Sequence, residues 1–183
     1  MNSHNKNNTT RGQRNPAEYL ILGALAGGPL HGYDLYRYLE EQLGWIWTLG
    51  RSQTYALLSR MEQAGLVSHE RQAQEKRPDR KIFTPSPEGK KTFKHWVNQP
   101  VLHVRDLRLE FLAKLHFTRV LGKGAEGRLV NAQVALLEKM SSGMEDKIRS
   151  AKNFVERQAL QFRLAQTQAA LGWLQSISIK EGE

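Results

Sequence analysis

The sequence predicts a mainly α-helical protein in two parts: N-terminal helices around one β-hairpin, followed by a wholly helical C-terminal half. Three observations support this prediction. Before residue 100, two segments begin with an N-cap residue followed by proline, as helices often do. Between residues 66 and 84, two β-prone segments flank a charged turn. From residue 101 onward, apolar residues recur at intervals of three and four, which is typical of packed helices.

Composition limits the class of protein. The 183 residues suffice for one medium domain or two small ones. The 27 Lys and Arg residues exceed the 18 Asp and Glu residues, and this net charge of +9 favours an anionic partner such as nucleic acid. The absence of cysteine excludes disulfides, thiolate zinc sites and a cysteine nucleophile.

The hydropathy pattern predicts a cytoplasmic protein. No apolar run approaches the roughly 20 residues that a membrane-spanning helix needs. The N-terminal region has no apolar core of the kind that a signal peptide carries. Residues 1–14 are polar, rich in asparagine and basic, and we expect them to form a disordered basic tail.

The first two helices are predicted from their end signals. Asn15 is an N-cap candidate, and Pro16 and Glu18 suit the first helical turn, so a helix is expected over Pro16–Ala26. Its residues are apolar nearly all round, which predicts a central place in the core. A second helix is expected over residues 31–43, and the β-prone residues 46–49 predict a short strand.

The third predicted helix carries the most functional information. Ser52 is its expected N-cap and Gly65 the residue just after its end. A spacing of 100° per residue gives one apolar side, formed by Thr54, Leu57, Leu58, Met61 and Ala64. The opposite side is polar but almost uncharged. It is formed by Ser52, Tyr55, Ala56, Ser59 and Gln63, with Gln53 and Arg60 flanking it.

A basic hairpin follows the third helix. Strands are expected over residues 66–72 and 81–84, with a turn at Pro78-Asp79. The basic residues of this segment are Arg71, Lys76, Arg77, Arg80 and Lys81. A further helix is expected after Ser86-Pro87. This order of helices and hairpin matches a winged helix-turn-helix, in which one helix enters the major groove of DNA and a β-hairpin forms the wing.

The C-terminal half is predicted to form a dimer. Helices are expected over residues 106–118, 125–149 and 154–177, with a break near Gly122. The second of these carries one seam of apolar spacing: Val130, Val134, Leu137, Ser141, Met144 and Ile148. The last carries two apolar stripes, so it needs partners on two sides, and a second copy of the chain is the natural partner. The expected domains are therefore a DNA-binding domain over 15–100 and a helical dimerisation domain over 101–183.

The candidate DNA-contacting side chains come from the second helix, the third helix and the hairpin. They are Tyr33, Tyr36, Ser52, Gln53, Tyr55, Ser59, Arg60, Lys76, Arg77, Arg80 and Lys81. The alternative for the helical residues is an ordinary solvated face, and Tyr33 and Tyr36 are equally compatible with core packing. His31 is expected to cap or pack at the start of the second helix rather than to contact phosphate.

Tryptophan is the candidate for binding a planar ligand, because indole offers a large apolar face. Trp96 is the best placed of the four tryptophans, since it lies on the helix that joins the two expected domains. Packing in the core or at a dimer interface is the favoured alternative.

No motif predicts an enzyme. The six histidines show no metal-ligand spacing, and no GxSxG, Walker or GxGxxG motif is present. Gly122-Lys123-Gly124 lacks the preceding strand and the following Ser or Thr of a phosphate-binding loop. We therefore expect no catalytic residues, no metal site and no cofactor.

Three segments in combination resemble the PadR family of bacterial transcriptional regulators. These are GPLHGYDL at 28–35, TYALLSRMEQAGLV at 54–67 and PDRKIF at 78–83. Residues 76–100, VRD at 104–106 and EFLAKL at 110–115 resemble its long, virulence-activator-like subfamily. The resemblance covers residues 16 to about 180. Pro85 departs from the family pattern of an aromatic residue and Thr before the last domain helix, and it is expected to stiffen the wing exit.

The resemblance implies a homodimer that binds a palindromic operator through its winged helix. It also implies that a small aromatic effector releases DNA in many members, whereas some members are activators. Two alternatives remain open from the sequence: a nonspecific architectural DNA-binding protein, and a dimeric interaction module that has lost DNA binding.

Overall fold

The computed structural model describes residues 15–72, 80–119, 121–122 and 124–179. Its elements, in chain order, are α1 (Pro16–Ala26), β1 (Leu30–His31), α2 (Gly32–Leu43), α3 (Arg51–Gln63), β2 (Val67–Gln72), β3 (Arg80–Pro85), α4 (Pro87–Val97), a 3-10 helix (Val104–Arg108), α5 (Glu110–Thr118), α6 (Ala125–Ser150) and α7 (Phe154–Ile179). The expected mainly helical fold, with a winged helix followed by C-terminal helices, is confirmed.

Helix α1 is the centre of the N-terminal core, as its sequence predicts. Asn15 Oδ1 accepts a hydrogen bond from the Ala17 backbone N–H at 3.0 Å, which satisfies one of the free donors at the helix start. At Gly23, an added Cβ would lie 2.7 Å from the ring of Phe117. This close approach lets α5 pack directly on α1.

The first strand lies where the sequence did not predict one. Leu30 and His31 pair antiparallel with Phe83 and Ile82 of β3, and the sheet order is β1-β3-β2. The strand expected over 46–49 is wrong. The backbone N–H groups of Ile46 and Trp47 donate to Leu43 O at 2.8 and 2.7 Å, which leaves this segment as a turn.

Helix α3 begins two residues earlier than expected, because Gly50 rather than Ser52 is its N-cap. Gly50 O accepts from the Thr54 N–H at 3.0 Å, and Gln53 Oε1 accepts from the Gly50 N–H at 3.3 Å. The expected end is confirmed, because Gly65 has φ +69, a left-handed conformation that favours glycine.

The hairpin and α4 follow the predicted pattern. Strands β2 and β3 pair antiparallel from Val67↔Pro85 to Gln72↔Arg80, so Pro85 is the last residue of its strand. Ser86 Oγ accepts from the Gly89 N–H at 3.0 Å and caps α4.

The expected helix over 106–118 is divided in two. The 3-10 helix ends at Arg108, and Leu109, with φ −114 and ψ −65, separates it from α5. Ala113 and Phe117 of α5 lie in the same apolar core as α1. The division into domains at residue 100 stays a prediction.

Helices α6 and α7 form an antiparallel hairpin with a second core. One stripe of α7 faces this core, with Thr167 and Leu174 buried. The other predicted stripe contains exposed residues, of which Phe162 is 65% and Trp173 38% exposed. No helix in the described part of the chain combines the length and apolar character that crossing a membrane requires.

Candidate nucleic-acid interface

A groove of about 620 Å³ lies between the start of α2, helix α3 and strand β3. Its lining combines aromatic, hydroxyl and basic side chains from all three elements. The lining residues are His31, Gly32, Tyr33, Asp34, Arg51, Tyr55, Leu58, Ser59, Glu62, Arg80, Lys81 and Phe83. The groove therefore joins the polar side of α3 to the base of the hairpin.

The first wall of the groove is built by a close contact between α2 and α3. An added Cβ at Gly32 would lie 2.7 Å from Cε1 of Tyr55, so only glycine lets the ring rest there without a shift. The Arg51 guanidinium carbon lies 5.5 Å from the centre of the Tyr33 ring, a cation–π distance. Both tyrosines keep substantial exposed surface, 48% for Tyr33 and 40% for Tyr55.

The charges of the groove are unevenly distributed. Arg51, Arg80 and Lys81 are exposed cations. Asp34, which is exposed, and Glu62 are the acids of the lining, and Glu62 Oε1 forms an ion pair with Nδ1 of His69 on β2. This ion pair connects the end of α3 to the hairpin, and it engages the Glu62 carboxylate within the protein.

His31 supplies an unusual polar atom. It occupies the N-cap position of α2, yet its side chain makes no capping hydrogen bond. Its Nδ1 is buried and has no hydrogen-bond partner among the described residues. Buried polar atoms are rarely left without partners. The start of α2 also carries the positive end of the helix dipole, which suits an anionic group.

The groove brings together five of the predicted DNA-contacting residues: Tyr33, Tyr55, Ser59, Arg80 and Lys81. Gln53 and Arg60 lie instead at a separate hollow of about 190 Å³ beside Trp47 and the start of α1. The polar side of α3 therefore has two flanks, and only one of them faces the hairpin.

Of the remaining predicted residues, Ser52 and Tyr36 line neither hollow. Ser52 is exposed in the first turn of α3. The Tyr36 hydroxyl donates to Glu40 Oε1 at 2.8 Å, and this hydrogen bond to a carboxylate raises the pKa of Tyr36. Lys76 and Arg77 lie outside the described residues.

Trp96 is a packing residue in this structure. It is 7% exposed, and its ring stacks on Tyr19 with centroids 4.7 Å apart and planes 3° from parallel. Its Nε1 donates to Glu110 Oε1 at 2.8 Å, and Lys114 Nζ lies 5.1 Å from the ring centre. The geometry favours the packing alternative over the planar-ligand hypothesis.

Sequence reasoning did not select Arg51, and it favoured packing for His31. Arg51 directly precedes the polar residues of α3, which is the signal that could have found it. The position of His31 could not be predicted from neighbouring residues, because the pairing of β1 with β3 places it at the groove.

Comparisons with known proteins found one matching family and a curated relative. Residues 21–95 match the family described as "Transcriptional regulator PadR-like family". The chain is 28% identical over 174 residues to the negative transcriptional regulator PadR of Bacillus subtilis, covering 87% of this chain and 94% of that protein.

Solved structures of the Bacillus subtilis protein were also matched. Its complex with operator DNA is 24% identical and covers 90% of this chain and 97% of that one, with a TM-score of 0.48. Its complex with p-coumaric acid is 24% identical and covers 92% of this chain and 100% of that one, with a TM-score of 0.42.

Proposed function

We propose that this chain, whose residues 21–95 belong to the PadR-like family of transcriptional regulators, binds operator DNA sequence-specifically as a cytoplasmic homodimer. The observation that carries the proposal is the groove that sets the uncharged polar side of α3 beside Arg51, Arg80 and Lys81. Polar side chains that both donate and accept hydrogen bonds can read base edges, and cations beside them contact phosphates.

Each groove element has a distinct role in this proposal. Helix α3 enters the major groove with Tyr55 and Ser59 toward the bases, and Gln53, Ser52 and Arg60 contact the flanking backbone. Lys81 and Arg80 on β3, together with Lys76 and Arg77 from the sequence between β2 and β3, contact phosphates of the adjacent DNA segment. Tyr33 and Tyr36 contact the backbone at the start of α2.

The homodimer is supported by the outer stripe of α7. Phe154, Val155 and Phe162 are 75%, 73% and 65% exposed. Such an apolar stripe on a long helix is typical of an interface with another helix. A twofold pair of winged helices would bind two half-sites separated by about one helical turn of DNA or a multiple of it, which suits a palindromic operator.

An effector is the last part of the proposal. The family resemblance implies that a small aromatic compound binds the protein and releases the DNA. The related Bacillus subtilis regulator, 28% identical over 174 residues, has been solved with p-coumaric acid. We propose that a small aromatic compound likewise controls DNA binding by the present chain.

The test begins with the selection of genomic fragments by the purified chain, followed by sequencing. Affinity for the enriched site and for a random duplex is then measured at several salt concentrations. We expect a preference of at least about 10³-fold for the site and a steep loss of affinity with salt. Equal binding to both duplexes would favour the architectural alternative, and binding to no fragment would favour a module without DNA binding.

A matched pair of variants tests the hairpin. Arg80→Glu plus Lys81→Glu should weaken binding and reduce the slope of log affinity against log salt by about two. Lys152→Glu plus Arg157→Glu makes the same change in charge at two exposed positions, one just before α7 and one in its first turn, and should leave the slope nearly unchanged. If the two double variants reduced the salt slope equally, the proposed contact between β3 and DNA would be contradicted.

A further inference from the structure

We propose that the N-terminal segment, residues 1–14, binds the minor groove of the DNA next to the major groove that α3 enters. This segment, expected from the sequence to be a disordered basic tail, lies outside the described residues. The match to the PadR-like family begins at residue 21, so the segment is additional to the matched region. Its role rests on the proposed function, because it adds a second contact to the same operator.

The described chain begins beside the DNA-facing helix. Asn15, the N-cap of α1, lines the hollow of about 190 Å³ together with Gln53, Ala56 and Arg60 of α3. All four residues are exposed. This is the flank of α3 that faces away from the hairpin. The residue that follows the N-terminal segment therefore lies at the edge of the surface that we propose to face DNA.

The composition of the N-terminal segment suits contact with DNA. It contains three cations, Lys6, Arg11 and Arg14, and no Asp or Glu. Met1 is its only large apolar residue, so the segment has little surface to bury in a core. Four asparagines and one glutamine make up much of the remainder. Arginine, lysine, asparagine and glutamine are the side chains with which proteins read the minor groove.

The hollow beside Asn15 does not suit the segment as a docking site within the same chain. Its lining, all within the described part of the chain, contains no acidic residue, and it includes Arg60, whose charge repels the cations of the segment. Its volume of about 190 Å³ is also below the roughly 300 Å³ at which ligand pockets commonly begin. An anionic partner outside the protein fits better, and DNA bound at α3 brings phosphates to this edge.

Distance selects the neighbouring minor groove. With α3 in the major groove, the next minor groove lies about half a helical turn away, roughly 17 Å along the DNA axis. Fourteen residues span at most about 46 Å, and the last four span about 13 Å. Arg11 and Arg14 can therefore reach the near edge of this minor groove, and Lys6 can reach the backbone beyond it. A narrow minor groove rich in A·T pairs attracts arginine most strongly, so we expect a preference for A·T pairs there.

Base substitution in the flanks of the operator tests the groove assignment. Duplexes carry the selected site with A·T, G·C or inosine·C pairs adjoining each half-site. Inosine·C keeps the major-groove pattern of G·C but lacks the amino group of guanine in the minor groove. The wild type should bind the A·T and inosine·C duplexes at least about fivefold more tightly than the G·C duplex. Inosine·C binding as weak as G·C binding would overturn the minor-groove contact.

A triple variant of the full chain locates the contact in the segment. Lys6→Gln plus Arg11→Gln plus Arg14→Gln should reduce the slope of log affinity against log salt by about two to three and abolish the flank preference. The matched control is Lys139→Gln plus Lys147→Gln plus Lys152→Gln.

The control removes the same charge at exposed positions of α6 and just before α7, and it should keep both properties of the wild type. A triple variant with the wild-type salt slope and flank preference would overturn the proposed contact.

Further outcomes separate this contact from the proposed function. A wild type that prefers its selected site, with a salt slope that the triple variant shares, would keep the proposed function and overturn the role of the segment. Equal wild-type binding to site and random duplex, with a lower slope in the triple variant, would keep the contact and refute sequence-specific binding. Thermal melting should be the same for all three proteins. A lower melting temperature of the triple variant alone would show that the segment stabilises the fold, and would overturn the proposal.

Discussion

Buried polar side chains connect the halves of this protein at the scale of single residues. Gln133 satisfies both backbone groups of Val101 from inside the second core. Lys114, 2% exposed, pairs with Glu110 Oε1 at 2.9 Å and donates to Gln99 O at 2.9 Å. Burial lowers the pKa of Lys114, and the contact with Glu110 opposes that shift. Such fully partnered groups impose a unique arrangement, because loss of one partner leaves the other buried and unsatisfied.

Replacement of Gln133 by leucine should destabilise the protein by roughly 3 kcal/mol, because it leaves the Val101 N–H and C=O without partners. The measurement is the free energy of unfolding in urea. Gln161→Leu, at an exposed position of α7, is the control and should change stability by less than about 0.5 kcal/mol. Similar values for both variants would contradict a structural role for the two hydrogen bonds.

His116 predicts a pH dependence of stability. Its Nε2 lies 3.0 Å from the Tyr38 hydroxyl, which joins α5 to α2. Burial, and secondarily the charge of Arg119, lower the pKa of His116 below its ordinary value of 6.5. Because the unfolded chain then takes up the proton first, this residue's contribution to stability declines as the pH falls through 6.5 toward its folded-state pKa.

The check is the loss of unfolding free energy between about pH 7.5 and pH 5.5, a window that spans the ordinary histidine pKa. His116→Gln can keep a hydrogen bond to Tyr38 and should show a smaller loss than the wild type. His95→Gln, at an exposed position of α4, should behave as the wild type. An identical pH dependence in all three proteins would show that His116 does not contribute.

Close backbone contacts determine how the elements of the winged helix pack. At Gly89, an added Cβ would lie 2.0 Å from the backbone oxygen of Leu66 and 3.1 Å from Leu22 Cδ2. Since a backbone oxygen in a paired turn cannot move aside cheaply, α4 packs on the start of β2 only with glycine at this position.

Gly89→Ala should therefore destabilise the protein by about 3 kcal/mol, since the core must open to admit the methyl group. Gly143→Ala is the opposite case, because nothing lies within 4 Å of its added Cβ on α6. It should stabilise by about 0.5–1 kcal/mol through the greater helix propensity of alanine. Thermal melting of both variants checks the pair, and a stable Gly89→Ala protein would disprove the close contact.

At the scale of the whole molecule, the outer stripe of α7 exposes a large apolar surface, although Trp173 packs edge-on against the ring of Phe111 at 5.9 Å. The inner stripe is covered by α6, whereas Phe162 and Trp173 remain 65% and 38% exposed. In the proposed homodimer this stripe meets its copy and sets the separation of the two α3 helices. Assembly and DNA affinity should therefore be lost together.

Phe162→Glu should convert the proposed dimer to a monomer at micromolar concentration, because it places a charge in an apolar interface. Gln168→Glu adds the same charge outside the stripe and should remain dimeric. Light scattering measures the mass, and the affinity for the selected DNA site should fall with Phe162→Glu alone. A monomeric wild type would refute the dimer itself.

The sequence by itself determined the features that depend on neighbouring residues. The bounds of α1, the cap of α4 at Ser86, the end of α3 at Gly65 and the outward stripe of α7 were all predicted from caps and periodicity. The PadR resemblance was likewise readable from local motifs, and the match over residues 21–95 confirmed it. These features follow from hydrogen bonds and side-chain spacing within a few turns of chain.

Only the tertiary structure decided which segments meet across the chain. Leu30 and His31 form a strand because they pair with β3. In the segment 46–49, the backbone N–H groups of Ile46 and Trp47 donate to Leu43 O within a turn instead. The same packing placed Arg51 and His31 in the groove and directed Gln53 and Arg60 to the other flank of α3. Periodicity specifies which side of a helix is polar, but which neighbour that side faces depends on contacts between residues far apart in the sequence.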